Sequence, residues 1–300
     1  MPELPDVVVY VEHLQRRLLG ATFERTRVRS PNLLRTAVPP LESAAGRRVT
    51  GVRRMGKRIV VALEGGLALV LHLMIAGRLR WREAGAALPG RVGLAALDFS
   101  TGTLLVTEAA TRQRAALHLV AGDEALAALD PGGLEVLEAS HAAFAASLAR
   151  EDHTLKRALT DPRLFSGIGN AYSDEILHRA RLSPLRRTSL LDEEEVARLY
   201  DATRDVLAAW TARLRREAGS AFPEKVTAFR EGMAVHGRWR QPCPDCGAPV
   251  QRIVYAEHET HYCARCQTGG RLLADRALSR LLKRDWPRTL EELEEGRGAK

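Results

Sequence analysis

Four cysteines constrain this chain more than any other feature, because they are the only ones in 300 residues and lie close together. They form two C-x2-C pairs, Cys243 with Cys246 and Cys263 with Cys266. Thiolates grouped in this way complete a tetrahedral zinc shell, and a four-cysteine shell leaves no position open for a catalytic water. The spacing therefore predicts one structural Zn²⁺. The alternatives are two disulfides, which are rare in cytoplasmic proteins, and free thiols.

The residues between the two cysteine pairs predict a β-hairpin. Residues 251–256 and 260–262 have strand patterning, and residues 257–259 form the tip. Neither His258 nor His261 is needed as a zinc ligand, so each is interpreted as a surface or packing residue. His258, at an exposed tip, is also a candidate for contact with a phosphate. A zinc hairpin occurs in many binding modules and does not by itself identify a function.

The charge of the chain points to an anionic partner. The formal net charge is +8 and the sequence pI is about 9.7, which suits nucleic acid, although a basic protein with solvated charges is not excluded. No run approaches the roughly 18 consecutive apolar residues of a membrane span, and no secretory segment is recognisable. These features predict a cytoplasmic protein that does not bind a membrane.

The hydrophobic pattern changes along the chain. Residues 6–19 predict a helix with Asp6 as its N-cap and Gly20 as its stop. Helical periodicity dominates again from residue 135 to 218, and residues 272–282 predict an amphipathic helix before an acidic tail. Between the first two helical regions, short β-rich runs indicate a sandwich or barrel, at residues 58–63, 67–73, 92–99 and 104–107, with turns at 64–66 and 100–102.

The first residues are chemically unusual. Methionine before proline is commonly removed, which would leave a free secondary amine at Pro2 beside the carboxylate of Glu3. An α-amine titrates near pH 8, so part of it is unprotonated at neutral pH and can attack a carbon electrophile. While Met1 is attached, the Pro2 nitrogen is an amide and has no such reactivity. A proline near an N-terminus is usually incidental, so this feature needs support from elsewhere in the chain.

That support comes from a set of segments that together resemble the formamidopyrimidine-DNA glycosylase and endonuclease VIII family. In the family's order, they are Met1-Pro2-Glu3-Leu4-Pro5, Arg54-Met55-Gly56-Lys57-Arg58, His72-Leu73 to Gly77, Gly167 to Glu175, Gly237-Arg238 and the two cysteine pairs. The resemblance implies an α+β multidomain protein. We expect an N-terminal β-sandwich with an N-terminal helix at 1–130, a helix-two-turns-helix domain at 135–225, a four-cysteine zinc finger at 235–270 and a C-terminal extension at 271–300.

The resemblance also implies an activity, which is base-excision repair of double-stranded DNA that contains damaged bases or abasic sites. Pro2 would attack C1′ of the damaged nucleotide and form a Schiff base, and Glu3 would move protons during ring opening and elimination. Lys57, on a loop between strands, would hold a phosphate near the lesion and help to position or protonate the opening sugar. The elimination nicks the strand, so the protein would be both a glycosylase and an abasic-site lyase. We expect a monomer that associates with the nucleoid when bound to DNA.

Further DNA-binding residues are assigned by the same resemblance. Gly169 and Asn170 open a helix whose N-terminal amides suit phosphate, and Glu175 lies one turn into that helix. The family also fills the gap left by the everted base with side chains from two loops. The residues at those positions are Ile75 with the adjacent Met74, and Arg112 and Arg114. Buried core is the alternative interpretation of Met74 and Ile75.

Three departures from the family pattern bear on specificity. The branch that processes 8-oxoguanine has Asp-Pro-Arg-x-Phe-Gly in the later loop, whereas this chain has Arg114 in place of the aromatic wedge. The hairpin tip of the family carries an arginine, and the aligned residue is His258, between two glutamates, so that Arg252 and Arg265 would have to compensate. The connection between residues 218 and 237 is also short for a loop that caps 8-oxoguanine. Oxidised pyrimidines or ring-opened purines are therefore the expected lesions.

Two other function classes remain open. A catalytically weak protein of the same fold that binds damaged or unusual DNA would tolerate the altered tip and wedge. A zinc-finger RNA-binding protein would explain the charge and the cysteines, but it gives no reason for the pair Pro2 and Glu3.

Overall fold

The computed structural model describes residues 1–227, 229–255, 258–273 and 287–293, and only the backbone of Tyr255 and His258. The chain divides into two compact units. The N-terminal unit comprises Met1–Gly132 and Ala209–Ala228, and the C-terminal unit comprises Gly133–Ala208 and Phe229–Lys300. Within the described ranges, no helix combines the length and the apolar character that crossing a bilayer requires.

Two four-stranded antiparallel sheets build the N-terminal unit. One has the strand order β2-β3-β4-β8 and the other β1-β6-β7-β5. The strands are β1 (Phe23–Val28), β2 (Val49–Met55), β3 (Arg58–Leu63), β4 (Leu67–His72), β5 (Gly77–Arg82), β6 (Gly93–Phe99), β7 (Gly102–Glu108) and β8 (Ala116–Ala121). Buried residues of both sheets and of the first helix join in one hydrophobic cluster. The predicted β-sandwich is confirmed.

Strand β3 illustrates why the apolar runs are nearly continuous. Ile59 and Val61 belong to the main core, whereas Val60 belongs to a smaller cluster that Leu126 and Leu129 help to cover. Both faces of this sheet are therefore covered. Because successive residues of a strand point to opposite faces, apolar residues occur at successive positions and not only at every second one. The short helix α2 (Gly122–Ala127) follows β8 along the chain.

Helix α1 (Leu4–Leu18) begins earlier than the sequence predicted. Its N-cap is Glu3, and Asp6 is the third helical residue, where the two form a capping box. Proline is compatible with the first helical turn, because the amides there have no partner within the helix. Pro5 therefore lies inside the helix, and the prediction of Asp6 as N-cap was wrong.

The C-terminal unit contains helices α3 (His141–Ala149), α4 (Leu155–Thr160) and α5 (Asn170–Arg179), and the first part of α6 (Glu193–Ala218), whose last ten residues belong to the N-terminal unit. The ring of Phe144 packs against those of Phe165 and Tyr200, with centroids 4.8 and 5.5 Å away. The predicted helical region is confirmed.

A hairpin of β9 (Gln251–Tyr255) and β10 (His258–Tyr262) follows, with the short helix α7 (Ala264–Thr268) after it. β10 starts two residues earlier than predicted, so Glu259 lies in a strand and not at the tip. The predicted helix at 272–282 falls mostly outside the described residues. Its first two residues, Leu272 and Leu273, are not helical, and the N–H of Leu272 donates to the carbonyl of Arg288.

Candidate active site and nucleic-acid interface

Pro2 and Glu3 are buried at the start of α1. The Glu3 side chain is only 2% exposed, and its backbone N–H donates to the Asp6 carboxylate over 2.9 Å. The capping box fixes both carboxylates relative to the helix, since each accepts a backbone N–H of the first turn. The N-terminus is therefore held by a rigid element and not by a loose tail.

The electrostatic surroundings of the N-terminus favour a neutral amine. Burial lowers the pKa of the N-terminal amine of Met1, and the Arg78 and Lys57 cations lower it further, against the opposing charges of Glu3 and Asp6. An amine with a lowered pKa has a larger unprotonated fraction at neutral pH. This amine is that of Met1, and the Pro2 nitrogen becomes the terminal amine only when Met1 is removed. Lys57 thus lies near enough to act electrostatically on this amine.

Lys57 lies in the two-residue turn between β2 and β3, as predicted. Gly56 precedes it with a φ of 60°, in the left-handed region that glycine adopts without steric penalty, and Met55 pairs with Arg58 across the turn. Arg54 donates a hydrogen bond of 2.8 Å to the carbonyl of Gly56. The lysine is therefore presented by a short, hydrogen-bonded hairpin.

The turn between β4 and β5 carries Met74 and Ile75. Ile75 is 49% exposed and Met74 has a φ of 50°, so neither behaves as an ordinary core residue. The N–H of Gly77 donates to the carbonyl of Leu73 over 2.9 Å, and a Cβ on Gly77 would lie 2.3 Å from that oxygen. The glycine is thus required for the tight turn that presents Ile75.

The loop between β7 and β8, residues 109–115, carries Arg112 and Arg114. Arg112 is exposed and Arg114 is partly exposed. The backbone N–H groups of Arg114 and Ala115 donate to one oxygen of Glu108, at 2.9 and 3.0 Å. These contacts fix the end of the loop.

Helix α5 of the C-terminal unit begins at Asn170, with Gly169 as its N-cap and Gly167 in the left-handed region at a φ of 83°. The Asn170 side-chain amide donates to the carbonyl of Glu259 in β10 over 2.9 Å. The start of the helix and the zinc hairpin are therefore directly connected.

Asp174, in the middle of α5, is completely buried and pairs with Lys156 at 2.5 Å. Its second oxygen lies 2.8 Å from Nδ1 of His236 and accepts the backbone N–H of His261. Burial alone would raise the pKa of this carboxyl, but the Lys156 charge and the hydrogen bonds of the two histidines hold it well below its usual range. One ionised carboxylate thus joins α4, α5, the segment around residue 236 and β10.

Glu175 is also buried, at 5% exposure, and its carboxylate accepts the backbone N–H groups of Ala234, Val235 and His236 at 2.7 to 2.9 Å. The carboxylate therefore binds protein backbone in this structure. Its position fixes the segment that leads to Gly237 and Arg238.

The four cysteines converge as predicted and form no disulfide among the described residues. Their sulfur atoms all lie within 4.8 Å of one another, with Cys243 and Cys266 at 3.9 Å and Cys246 and Cys263 at 3.4 Å. Sulfur ligands about 2.3 Å from a tetrahedral zinc would be about 3.8 Å apart. The geometry and the donor set fit one structural Zn²⁺.

A residue that the sequence did not single out supports this centre. Nε2 of His178, in α5, lies 3.2 Å from Sγ of Cys243, and the histidine is 4% exposed. Burial lowers the pKa of His178, which favours the neutral imidazole. A neutral imidazole that donates an N–H to a thiolate orients that ligand.

Residues proposed to contact DNA from the hairpin are only partly described. His258 pairs with Tyr255 at the start of β10, but its side chain lies outside the described atoms. Arg252 pairs with Glu259 at 2.9 Å, and its guanidinium lies 3.7 Å from the ring centroid of Trp239. Arg265 donates to the carbonyl of Cys246.

Three family models match consecutive parts of the chain. The formamidopyrimidine-DNA glycosylase N-terminal domain matches residues 1–131, the formamidopyrimidine-DNA glycosylase H2TH domain matches 132–217, and the zinc finger found in FPG and IleRS matches 240–269.

Relatives and solved structures agree with these matches. The formamidopyrimidine-DNA glycosylase of Thermus thermophilus is 36% identical over 285 residues, with 90% of this chain and all of that protein covered. Its crystal structure superposes with a TM-score of 0.73 and covers 89% of this chain and 98% of the other. A Lactococcus lactis FPG mutant in complex with a Fapy-dG containing DNA is 25% identical, with a TM-score of 0.78 and coverage of 89% and 100%. The chain belongs to the formamidopyrimidine-DNA glycosylase family.

Proposed function

We propose that this protein is a bifunctional DNA glycosylase and abasic-site lyase of base-excision repair that uses Pro2 as its nucleophile. The family consists of such enzymes, and the curated relatives at 33–36% identity carry the glycosylase name over most of the chain. The observation that carries the residue assignment is that Pro2 is buried directly before Glu3 at the start of α1, close to the Met1 amine, whose pKa is lowered by burial and by the Arg78 and Lys57 cations.

In the proposed reaction, removal of Met1 exposes the Pro2 amine, which attacks C1′ of the damaged nucleotide. The C1′–N bond to the base breaks, and the base leaves with its electron pair and takes up a proton, while the Pro2 nitrogen loses its own proton. The C1′–O4′ bond then breaks, O4′ takes up a proton, and Pro2 is joined to the ring-opened sugar as an iminium. Loss of a proton from C2′ then expels the 3′ phosphate and nicks the strand. Glu3, held next to Pro2 by the capping box, is the group placed to move these protons.

Lys57 binds a phosphate near the lesion and also takes part in catalysis, since it helps to position or protonate the opening sugar. The other residues are assigned to DNA binding. Ile75 and Met74 on one loop, and Arg112 and Arg114 on another, enter the gap left by the everted base. Gly169 and Asn170 bind the backbone from the start of α5.

Glu175 is assigned a different role from these direct DNA contacts, whereas His258 keeps the role predicted for it. Because the Glu175 carboxylate accepts three backbone N–H groups, we assign it to positioning the 234–236 segment and not to touching DNA. His258 is retained as a phosphate contact. The zinc is structural, and it holds the hairpin in the conformation that accepts the Asn170 amide.

We further propose that double-stranded DNA with oxidised pyrimidines, ring-opened purines or abasic sites is the substrate. This choice is supported by Arg114, which stands where the branch that processes 8-oxoguanine has an aromatic residue. The protein would act as a monomer in the cytoplasm and on the nucleoid. The domain boundaries 1–130, 135–225 and 235–270, with an extension at 271–300, are part of the same proposal.

Borohydride trapping tests the function directly, because reduction converts the iminium into a stable protein–DNA adduct. Wild type, after intact-mass measurement shows that Met1 is absent, should form an adduct on abasic DNA and on at least one lesion of a panel. Pro2→Gly should reduce trapping strongly, whereas substitution of the exposed Lys225 by alanine should not. Absence of any wild-type adduct would overturn the proposal in favour of a protein that only binds damaged DNA.

A further inference from the structure

Glu108 is a buried carboxylate that the proposed reaction does not use. It is the last residue of β7 and is only 2% exposed. Its backbone N–H donates to the carbonyl of Val92 over 2.9 Å, which fixes the strand end. Its Oε2 accepts the backbone N–H groups of Arg114 and Ala115 at 2.9 and 3.0 Å. A charged acceptor on two amides makes hydrogen bonds stronger than a neutral acceptor would.

The position of Glu108 in the sheet places it at the base of two loops. Across the β5–β7 pair it lies opposite Gly77, the first residue after the turn that carries Met74 and Ile75. On its own strand it immediately precedes the loop 109–115. Both sets of residues assigned to the gap in the DNA therefore emerge from the backbone around this single side chain.

Packing holds only one end of the loop 109–115, because Ala115 is buried in the main hydrophobic cluster whereas Arg112 is exposed. A cavity of about 370 Å³ borders it, lined by Arg91, Val92 and Glu108 and, from the loop itself, by Thr111 and Gln113 among others. Side chains that border open space constrain a backbone weakly. The two hydrogen bonds to Glu108 act together with the burial of Ala115 and with the hydrogen bond from Ser30 Oγ to Gln113 Oε1 to fix the C-terminal end of the loop.

We infer that Glu108 is a positioning residue that holds the loop 109–115 in the conformation with which Arg112 and Arg114 read the base opposite the lesion. This inference rests on the proposed function. Base readout by arginine depends on the direction of its guanidinium, and that direction depends on where the backbone holds the side chain. A loop released from Glu108 would still carry both cations, but without a fixed direction.

The test compares Glu108→Ala, Glu108→Gln and, as a matched control, Glu24→Ala, which removes one exposed carboxylate from the same unit. Three quantities are measured for each: amide hydrogen exchange of residues 109–115, excision of one lesion opposite each of the four bases, and borohydride trapping on abasic DNA. The glutamine variant keeps an oxygen that can accept both N–H groups.

Glu108→Ala should exchange the Arg114 and Ala115 amides about tenfold faster or more, because it removes two charge-assisted hydrogen bonds. The ratio of the fastest to the slowest excision among the four opposite bases should fall by about tenfold, the size of one good base contact. Trapping on abasic DNA should stay within about twofold of wild type, and Glu108→Gln should restore most of the exchange protection and of the ratio.

The inference is overturned if amide hydrogen exchange in Glu108→Ala is unchanged, or if exchange is faster but the excision ratio among the four opposite bases is unchanged. It is also overturned if wild type excises the lesion equally well opposite all four bases. Should the alanine variant fail to fold, as judged from thermal unfolding, the glutamine variant decides. It must then show measurably faster exchange and a lower ratio than wild type. If wild type forms no borohydride adduct, the proposed function is refuted. The role of Glu108 in holding the loop is tested separately by the exchange measurement.

Discussion

The side-chain amide of Asn170 donates a 2.9 Å hydrogen bond to the main-chain carbonyl of Glu259, a residue of the zinc hairpin. The first residue of α5 is thus held by a strand that precedes the second cysteine pair by only a few residues. His261 in the same strand donates its backbone N–H to Asp174 of the same helix. The proposed phosphate grip of α5 therefore depends on the hairpin being folded.

Zinc removal should weaken DNA binding through this connection. Without the ion, the four cysteine thiols would no longer hold the hairpin in place. Asn170 would then lose its hydrogen bond to the carbonyl of Glu259. We expect chelation to lower the affinity for abasic DNA by about tenfold or more, on the scale of losing several hydrogen bonds. Fluorescence anisotropy before chelation, after it and after Zn²⁺ is restored measures the change. Normal binding by the metal-free protein would contradict the role given to the hairpin.

His178→Ala should weaken zinc binding although His178 is not a ligand. Its Nε2 lies 3.2 Å from Sγ of Cys243, and loss of such a supporting contact typically lowers metal affinity by about 10- to 100-fold. Competition with a chromophoric chelator gives the affinity. Arg179→Ala, which changes the exposed neighbour on the same helix, is the control and should retain wild-type affinity.

The zinc centre and the sandwich could be predicted because both have local sequence patterns. The spacing of Cys243, Cys246, Cys263 and Cys266 defines the centre without knowledge of the rest of the chain. β3 was predicted with its observed bounds, since its apolar run is flanked by a glycine turn on each side. The four edge strands of the sandwich, β1, β2, β5 and β8, were not predicted. β1 and β5 contain two and three arginines, which interrupt their apolar pattern.

The residues that hold the site together lacked such patterns. Glu108 sits in a segment with no unusual composition. Asp174 lies inside the motif segment Gly167 to Glu175, but its role depends on partners that are distant in sequence, such as His236, 62 residues away. The N-cap of α1 was misplaced for a different reason. Asp6 is the residue type that usually caps a helix, but Glu3 and Asp6 together form the capping box, which lets the helix start two residues earlier than predicted.

Lys57→Ala should impair incision far more than folding. The residue lies in a turn, and its side chain is not part of the hydrophobic core, so the free energy of unfolding should change by less than about 1 kcal/mol. Loss of a charge that binds phosphate at the reacting nucleotide should slow incision about 100-fold. Single-turnover incision and thermal unfolding give the two values. Lys225→Ala removes an equal charge from an exposed position and should leave incision nearly unchanged; equal losses in both variants would mean that only net charge matters.

His72 should make stability depend on pH in a specific window. Burial, followed by the Arg58 and Lys57 cations and His118, lowers the pKa of His72 to about 4 in the folded protein. The unfolded chain takes up this proton near pH 6.5, so between pH 6.5 and 4 the unfolded state binds more protons, and stability falls as the pH falls. Across this whole pH range, protonation of His72 lowers the free energy of unfolding by about 3 kcal/mol at most.

His72→Gln cannot take up the proton, so its free energy of unfolding should fall less steeply than that of wild type between about pH 6.5 and 4. Asp98 does not obscure the comparison. Its burial would raise its pKa, but hydrogen bonds from Arg27, Thr103 and Arg25 lower it to about 2, so its contribution is lost only at more acidic pH. Urea denaturation across the window measures both slopes, with His141→Gln at an exposed position as the control. Parallel curves for wild type and His72→Gln would show that this histidine is protonated as readily in the folded protein as in the unfolded chain.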